Sequence, residues 1–169
     1  MIEISGKIKR SVLINQLEIF LLEAGFAIKA KKNESDPVEY TIYDGVRKFF
    51  LNIILKTVSF GGWKDHPEIK RIQIGSIKDN IVYTTKNMTF MLCGLIQCNG
   101  KTLMVVWNAY EFTKHNTNRS CYVTDEAIEE ASKRGYVRYN DFDCEKWICD
   151  AQHFGILIRD YISFNYMEK

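Results

Sequence analysis

Two segments of the chain are rich in side chains that donate hydrogen bonds, and the first is the loop SFGGWKDH. With its flanking strands it supplies basic, amide, hydroxyl and indole groups: Lys56, Ser59, Trp63, Lys64, His66, Lys70, Arg71 and Gln73. Lysine and arginine bind phosphates, while arginine and glutamine can also read base edges in the major groove of DNA. The composition therefore suits a DNA contact, although an ordinary solvated loop would also have it.

The second segment is TKHNTNRS, which has no acid and no apolar group beyond threonine methyls. Nearly all of its side chains are donors: Lys114, His115, Asn116, Thr117, Asn118, Arg119 and Ser120. Arginine can donate two hydrogen bonds to guanine and asparagine can pair with adenine, so Asn116, Asn118 and Arg119 would read bases. Lys64 and Lys114 offer a point charge and would bind phosphates. Two such loops predict a domain that grips double-stranded DNA, with a merely hydrophilic turn as the alternative.

A third pattern is the tripeptide EIK at Glu68–Lys70, which lies downstream of Asp44. Metal-dependent nucleases use two carboxylates to hold Mg²⁺ and a lysine to assist the attacking water. Matches of three residues occur by chance in chains of this length, and Pro67 places Glu68 on the rim of a loop. A small Mg²⁺-dependent nuclease that uses Asp44, Glu68 and Lys70 is therefore kept as an alternative.

Other catalytic patterns are missing from the sequence. His66, His115 and His153 have no G-x-S-x-G motif near them, and the chain has neither a P-loop nor a G-x-G-x-x-G motif. We therefore predict a domain without catalysis, cofactor or metal. A module that binds another protein through Trp63 and neighbouring aromatic side chains is a further alternative.

The five cysteines bear on metal binding and on the compartment. Cys93 and Cys98 share a C-x4-C spacing with Cys144 and Cys149, whereas zinc sites use tighter C-x2-C pairs with a histidine at finger spacing. We predict that the cysteines act as small apolar side chains on strands. An odd number of cysteines and the lack of a secretory signal predict free thiols in the cytoplasm.

Length, composition and charge set the general class. The 169 residues are 46% hydrophobic, which predicts a single domain (1–169) with a substantial core. No apolar run is long enough to cross a bilayer, so no membrane partner is expected. The net charge is only +2, but bases cluster at Arg47, Lys48, Lys56, Lys64, Lys70, Arg71 and Lys78. Acids dominate from Asp141 to the end, so we expect a positive and a negative side, with the positive side steering the molecule towards phosphates.

The pattern of apolar residues predicts the elements that position these loops. Apolar residues at three- and four-residue steps predict a helix over 11–24. Asn99-Gly100 predicts a hairpin, and Thr124 is a natural N-cap for a helix over 125–134 that is followed by a closing helix over 153–166. Alternating or β-branched runs predict strands at 26–30, 38–43, 46–58, 69–77, 89–97, 102–112, 121–123, 136–139 and 146–151. Many short strands with two or three helices predict a mainly β, α+β fold with a barrel-like or strongly curved sheet.

A series of motifs runs through the chain in a defined order. It comprises RKFFLN at 47–52, GG at 61–62, RIQ at 71–73, a hydrophobic hairpin that ends in Trp107, KH at 114–115 and NRS at 118–120. This series resembles the B3-like DNA-recognition domains of restriction endonucleases, over about residues 38–165. The helix 11–24 is not part of that family's core, so it would be an extra N-terminal helix.

The resemblance implies a fold, a function and partners. The family fold is an open, seven-stranded pseudobarrel with flanking helices, and two extensions grip the major groove. Here these arms would be residues 56–71 and 112–122, which contain the two donor-rich loops. The domain would supply sequence-specific recognition to a restriction endonuclease whose nuclease domain, or McrB-type GTPase motor, lies in other domains or subunits.

Overall fold

The fold described here comes from a computed structural model that describes residues 2–75, 88–112, 119–142 and 144–167. Within these ranges the helices are α1 (Arg10–Glu23), α2 (Asp125–Arg134) and α3 (Phe154–Met167). The strands are β1 (Ala27–Lys32), β2 (Val38–Tyr43), β3 (Lys48–Thr57), β4 (Ser59–Phe60), β5 (Ile69–Ile74), β6 (Met88–Cys98), β7 (Lys101–Trp107), β8 (Arg119–Thr124), β9 (Tyr136–Asp141) and β10 (Cys144–Cys149). All helices in the described ranges are too short or too polar to cross a membrane.

Seven strands form the main sheet, in the order β1-β2-β3-β6-β7-β10-β9. β3 and β6 are parallel, and the other neighbours in this sheet are antiparallel. The sheet is mixed and does not close into a barrel. The prediction of a mainly β, open α+β architecture with flanking helices and an N-terminal helix is therefore confirmed.

Apolar side chains on the two faces of the main sheet form two separate cores. On β3, Leu51, Ile53 and Leu55 face the core that α1 and α3 cover, whereas Ile54 faces the opposite core. The other central strands alternate in the same way, because successive side chains of a strand point to opposite faces. The strands at the centre of the sheet are thus buried on both faces, which explains why β3 and β6 read as nearly continuous apolar runs.

A second, three-stranded antiparallel sheet, in the order β4-β5-β8, covers the second core together with α2. The two sheets approach each other closely at Gly94 of β6. A Cβ atom at this position would lie 3.0 Å from a methyl carbon of Ile72 on β5, 2.6 Å from a methyl carbon of Val58 and 2.9 Å from the ring of Trp107. Trp107 is fully buried, and its indole Nε1 donates a hydrogen bond to the main-chain oxygen of Tyr122 at 2.8 Å. The small sheet is therefore fixed against the main sheet by packing and by this hydrogen bond.

The helix predicted over 125–134 is confirmed, with the N-cap that the sequence indicated. The Thr124 side chain accepts a hydrogen bond from the main-chain N–H of Ala127. The helix ends at Arg134 and is capped by Gly135, whose φ of 84° is a left-handed conformation that glycine adopts easily. Because β8 runs directly into this helix, the cap also fixes the end of the strand that carries Tyr122.

Candidate functional site

The outer face of the small sheet, called here the outer face, carries polar side chains from both segments that the sequence singled out. Arg71 and Gln73 alternate with the buried Ile72 and Ile74 on β5, as the sequence pattern predicts. β5 and β8 are antiparallel neighbours, with Arg71 opposite Tyr122 and Gln73 opposite Ser120. Directly opposite residues share a face of the sheet, so these four side chains form one surface.

Arg71 is the central residue of the outer face. Its Nη1 atom donates a long hydrogen bond of 3.4 Å to the Ser120 hydroxyl, and its guanidinium lies against the backbone at Gly62. Its Nε atom is buried and has no hydrogen-bond partner among the described residues. No carboxylate in that part of the chain forms an ion pair with Arg71. Because Nε is shielded from solvent, the donors that remain for an external acceptor are those of the two Nη atoms.

Three aromatic rings lie beside Arg71 and form an exposed cluster. Trp63 stacks on Tyr122 with ring centroids 4.8 Å apart, and Phe142 lies 5.2 Å from Tyr122 and 6.2 Å from Trp63. Trp63 is 43% exposed and Phe142 is 46% exposed. Stacking of this kind stabilises the loop that carries Trp63 by about 0.5–1.5 kcal/mol for each ring pair.

The loop between β4 and β5 places two of the predicted contact residues, Lys64 and His66, in solvent. It is anchored by three main-chain hydrogen bonds, which the N–H groups of Gly61, His66 and Ile69 donate to the oxygens of Ile69, Trp63 and His66, respectively. The His66 ring forms a 3.0 Å contact with the Glu68 carboxylate. The Glu68 carboxylate accepts hydrogen bonds from the main-chain N–H of Glu68 itself and from the His66 ring, and these two bonds lower the pKa of Glu68. His66 thus already has an acidic partner, whereas Lys64 is an exposed cation.

Lys70 was expected on the DNA-binding surface, and the structure corrects this. Its side chain is fully buried, with Nζ 2.7 Å from an Asp125 carboxylate oxygen and 2.6 Å from the main-chain oxygen of Pro67. Lys70 lies on the same side of β5 as Ile72, so strand alternation turns it towards the core. Its ammonium group is therefore a structural cation and is not available to a phosphate.

The residues of the nuclease alternative do not form one site. The Asp44 carboxylate accepts hydrogen bonds from the main-chain N–H groups of Arg47 and Val46 and forms an ion pair with Arg159. These contacts lower the pKa of Asp44, and the hydrogen bond from the Arg47 main-chain N–H has the largest effect. Lys70 instead contacts Asp125. Across the described part of the chain, no group of three His, Cys, Asp or Glu side chains could hold a metal ion.

Lys56 and Ser59, two further predicted contact residues, lie at the end of β3 and in β4. Lys56 Nζ forms a 3.1 Å ion pair with Asp36 and is 43% exposed, so part of its charge is neutralised. The Ser59 hydroxyl donates a 3.4 Å hydrogen bond to the main-chain oxygen of Arg71. Ser59 is thus beside the outer face, whereas Lys56 lies at the neighbouring groove.

The second donor-rich segment is only partly described. Lys114, His115, Asn116, Thr117 and Asn118 lie outside the described residues, so their predicted contacts stay predictions. Arg119 and Ser120 begin β8, and the Arg119 guanidinium lies 5.7 Å from the centre of the Phe112 ring. β8 pairs with β5, so the structure brings the described end of this segment next to Arg71 and Gln73.

Two members of the exposed cluster, Tyr122 and Phe142, were missed by the sequence analysis. Alternation on β8 could have found Tyr122, since the buried Cys121 and Val123 flank it. Phe142 lies in the turn between β9 and β10, and nothing local in the sequence indicates its contact with Trp63.

All five cysteines are buried on strands, as small apolar side chains. Burial raises the pKa of each thiol, to about 12 for Cys144. We therefore expect the folded protein to react much more slowly with a thiol reagent at pH 8 than the protein unfolded in denaturant, because only the thiolate is a good nucleophile. The measurement is reagent consumption with and without denaturant, combined with a zinc assay. Rapid reaction of the folded protein, or stoichiometric zinc, would contradict this prediction.

The fold and the outer face define an open α+β domain with a small accessory sheet that exposes an arginine, an amide and stacked aromatic rings. Residues 50–154 match the family model described as methylase-associated X1. The match covers more than half of the chain, so this protein belongs to the methylase-associated X1 family. No curated protein and no solved structure is significantly similar to the chain.

Membership of this family supports the coarse part of the sequence interpretation. The association with methylases links the chain to restriction–modification systems. The matched segment contains both donor-rich loops, the small sheet and α2, and it omits α1. The B3-like resemblance itself is not confirmed.

Proposed function

We propose that this domain binds double-stranded DNA and supplies target recognition in a restriction–modification system. The observation that carries the proposal is Arg71. Within the described residues its guanidinium donates a single long hydrogen bond and has no carboxylate partner, so its Nη groups are suited to an external acceptor. Guanine and phosphate are the acceptors in DNA whose geometry matches an arginine.

The shape of the small sheet suits the major groove. This groove admits a two-stranded β-ribbon, and beyond the two-residue β4 the small sheet narrows to the antiparallel pair of β5 and β8. Arg71 and Gln73 present a guanidinium and an amide towards base edges. Lys64, on the adjacent loop, offers a cation to a phosphate. The stacked Trp63 and Tyr122 rings hold this loop against the ribbon.

The domain would act without catalysis of its own. An accessory role is compatible with membership of a methylase-associated family. In this proposal the reaction, whether methylation or cleavage, takes place in other domains or subunits, such as a methylase, a nuclease or a GTPase motor.

The test of the proposal is the salt dependence of duplex binding. We expect log K to fall linearly with log salt, with a slope of about −3 or steeper, because each neutralised phosphate releases counterions. The measurement is a titration of a random-sequence duplex at several salt concentrations, followed by selection of preferred sequences. A flat salt response, or no binding to any duplex at low salt, would refute the proposed function.

A matched set of variants separates base reading from phosphate binding. Arg71→Ala should weaken the binding free energy for the preferred sequence by about 1–3 kcal/mol and relax the sequence preference mainly at one base pair. Arg71→Lys should retain charge without restoring the preference, because lysine lacks the planar fork of donors. Lys64→Ala should weaken binding to all sequences similarly and make the salt slope shallower by about one unit.

The control for this set is Lys32→Ala. Lys32 is an exposed cation on β1, at the edge of the main sheet, so its removal should leave affinity and preference unchanged. Specific and non-specific affinities are measured for each variant across the same salt series. Full sequence discrimination by Arg71→Ala would show that the outer face does not read bases.

A further inference from the structure

A groove of about 580 Å³ lies beside the outer face, between the N-terminal segment 4–10 and the strands β3 and β4. This volume is in the range of sites that hold small organic ligands. We propose that the groove binds one nucleotide, with its base between the apolar walls and its phosphate at the basic rim. If the nucleotide is one that leaves the recognised duplex, the inference rests on the proposed function.

The wall formed by the N-terminal segment is held in place by hydrogen bonds at both ends. The main-chain N–H of Ser5 donates to the main-chain oxygen of Gln97 at 3.0 Å, and that of Ile8 donates to the Thr57 hydroxyl at 3.0 Å. Further along, the N–H of Ile2 donates to the Asp125 carboxylate at 2.7 Å. The groove is therefore preformed, so a ligand would not have to order this segment on binding.

The interior of the groove suits a flat, apolar ring. Ile4, Ile8 and Leu13 contribute aliphatic side chains from one side, and Phe60 contributes a ring that is 50% exposed. An exposed aromatic ring beside aliphatic side chains offers stacking and apolar contact. Stacking between a base and an aromatic side chain is tolerant of base identity, because every base has a π-face.

The rim of the groove is positively charged. Lys7, Arg10 and Lys56 line it, and Asp36 is the carboxylate that pairs with two of them. Arg10 also donates to the main-chain oxygens of Glu34 and Leu55, which holds its guanidinium in a fixed position. Among the described residues, three cations against one carboxylate leave a positive excess at the rim. An apolar interior with a cationic rim is complementary to a nucleotide.

The groove is continuous with the outer face, which points to the source of the nucleotide. Ser59 and Gln73 line the groove, and Gln73 is also one of the outer-face residues that we assign to base edges. A base displaced from a duplex bound on the outer face would therefore lie close to the mouth of the groove. Free nucleotides have the same chemistry, so the experiment must distinguish the two sources.

The experiment uses the full chain and a variant that fills the groove. Gly6 lines the groove, and a Cβ atom built there meets no atom within 4 Å, so a side chain can begin there without a clash. Gly6→Phe should block the groove and Gly6→Ala should not. The first arm measures the fluorescence of 2-aminopurine placed at each adenine of a selected duplex, because this base becomes brighter when it leaves the stack. The second arm titrates free deoxynucleoside 5′-monophosphates.

The proposal expects a several-fold rise of 2-aminopurine fluorescence at one position with the wild type and Gly6→Ala, and none with Gly6→Phe. Binding of free monophosphates that Gly6→Phe abolishes would also support the groove, with a free nucleotide as its ligand. Signals that persist in Gly6→Phe, or no response in either arm, would overturn it. Lys7→Glu, at an exposed position, should weaken nucleotide binding and serves if Gly6→Phe does not fold. If the chain binds no duplex, the proposed function is refuted. The titration of free monophosphates then tests by itself whether the groove binds a nucleotide.

Discussion

Replacing Lys70 with alanine is expected to lower the free energy of unfolding by about 3–5 kcal/mol. The Lys70 ammonium group is fully buried and contacts the Asp125 carboxylate at 2.7 Å. Removing one partner of a buried pair leaves the other charge in a low-dielectric environment without compensation. The Asp125 carboxylate keeps its hydrogen bond from the N–H of Ile2, which offsets only part of the loss.

Denaturant unfolding of three variants measures this effect. Lys70→Ala is compared with Lys64→Ala, which removes an exposed lysine and should change stability by no more than about 0.5 kcal/mol. The double variant Lys70→Met with Asp125→Asn removes both charges, and its free energy of unfolding should fall by less than that of Lys70→Ala. Stability of Lys70→Ala within about 1 kcal/mol of the wild type would show that this pair does not have the role assigned here.

Replacing Trp107 with alanine is expected to cost about 3–5 kcal/mol of stability. The ring is fully buried between the two sheets, next to Gly94, and its removal leaves a cavity in the second core. The hydrogen bond from Nε1 to Tyr122 is lost as well, so the small sheet loses one of its connections to the main sheet.

Trp107→Phe is the matched control, because it keeps most of the volume and removes the hydrogen bond. The stability that Trp107→Phe loses should be clearly smaller than the stability that Trp107→Ala loses. Unfolding is followed by far-UV circular dichroism, since the substitution removes one of the fluorescent tryptophans. Equal stability of Trp107→Ala and the wild type would contradict the packing between the sheets.

Local sequence patterns predicted most of the main sheet. The bounds of β2 were predicted to the residue, and the Asn99-Gly100 turn correctly predicted the β6–β7 hairpin. The Thr124 cap correctly predicted the start of α2. These features depend on neighbouring residues, so periodicity and turn chemistry are sufficient to find them.

Contacts between distant residues could not be predicted in this way. The small sheet requires β5 to pair with β8, and Ile72 and Cys121, which lie opposite each other, are far apart in the chain. Lys70 was assigned to the DNA-binding surface as a base that contacts phosphate. Its distant partner Asp125 and the main-chain oxygen of Pro67 make its burial tolerable. Its alternation with Ile72 on β5 nevertheless indicates that its side chain points to the core.

For the candidate site, the sequence identified the segments but not their arrangement. Arg71 and Gln73 were correctly placed on the outward side of β5. That they share a surface with Ser120 follows from strand pairing, which no local signal reveals. The exposed aromatic cluster could not be predicted from local sequence either, because Trp63, Tyr122 and Phe142 come from three separate parts of the chain.

The position of β3 in the main sheet determines where the chain can be shortened. The family match begins at Phe50, within β3, whereas α1, β1 and β2 precede it. Truncation at that boundary would turn β3 into an open edge strand and uncover Leu51, Ile53 and Leu55, which α1 and α3 now shield. Long apolar edge strands template aggregation by pairing with other chains. A shortened version for expression should therefore retain the first 49 residues, even though the family match does not include them.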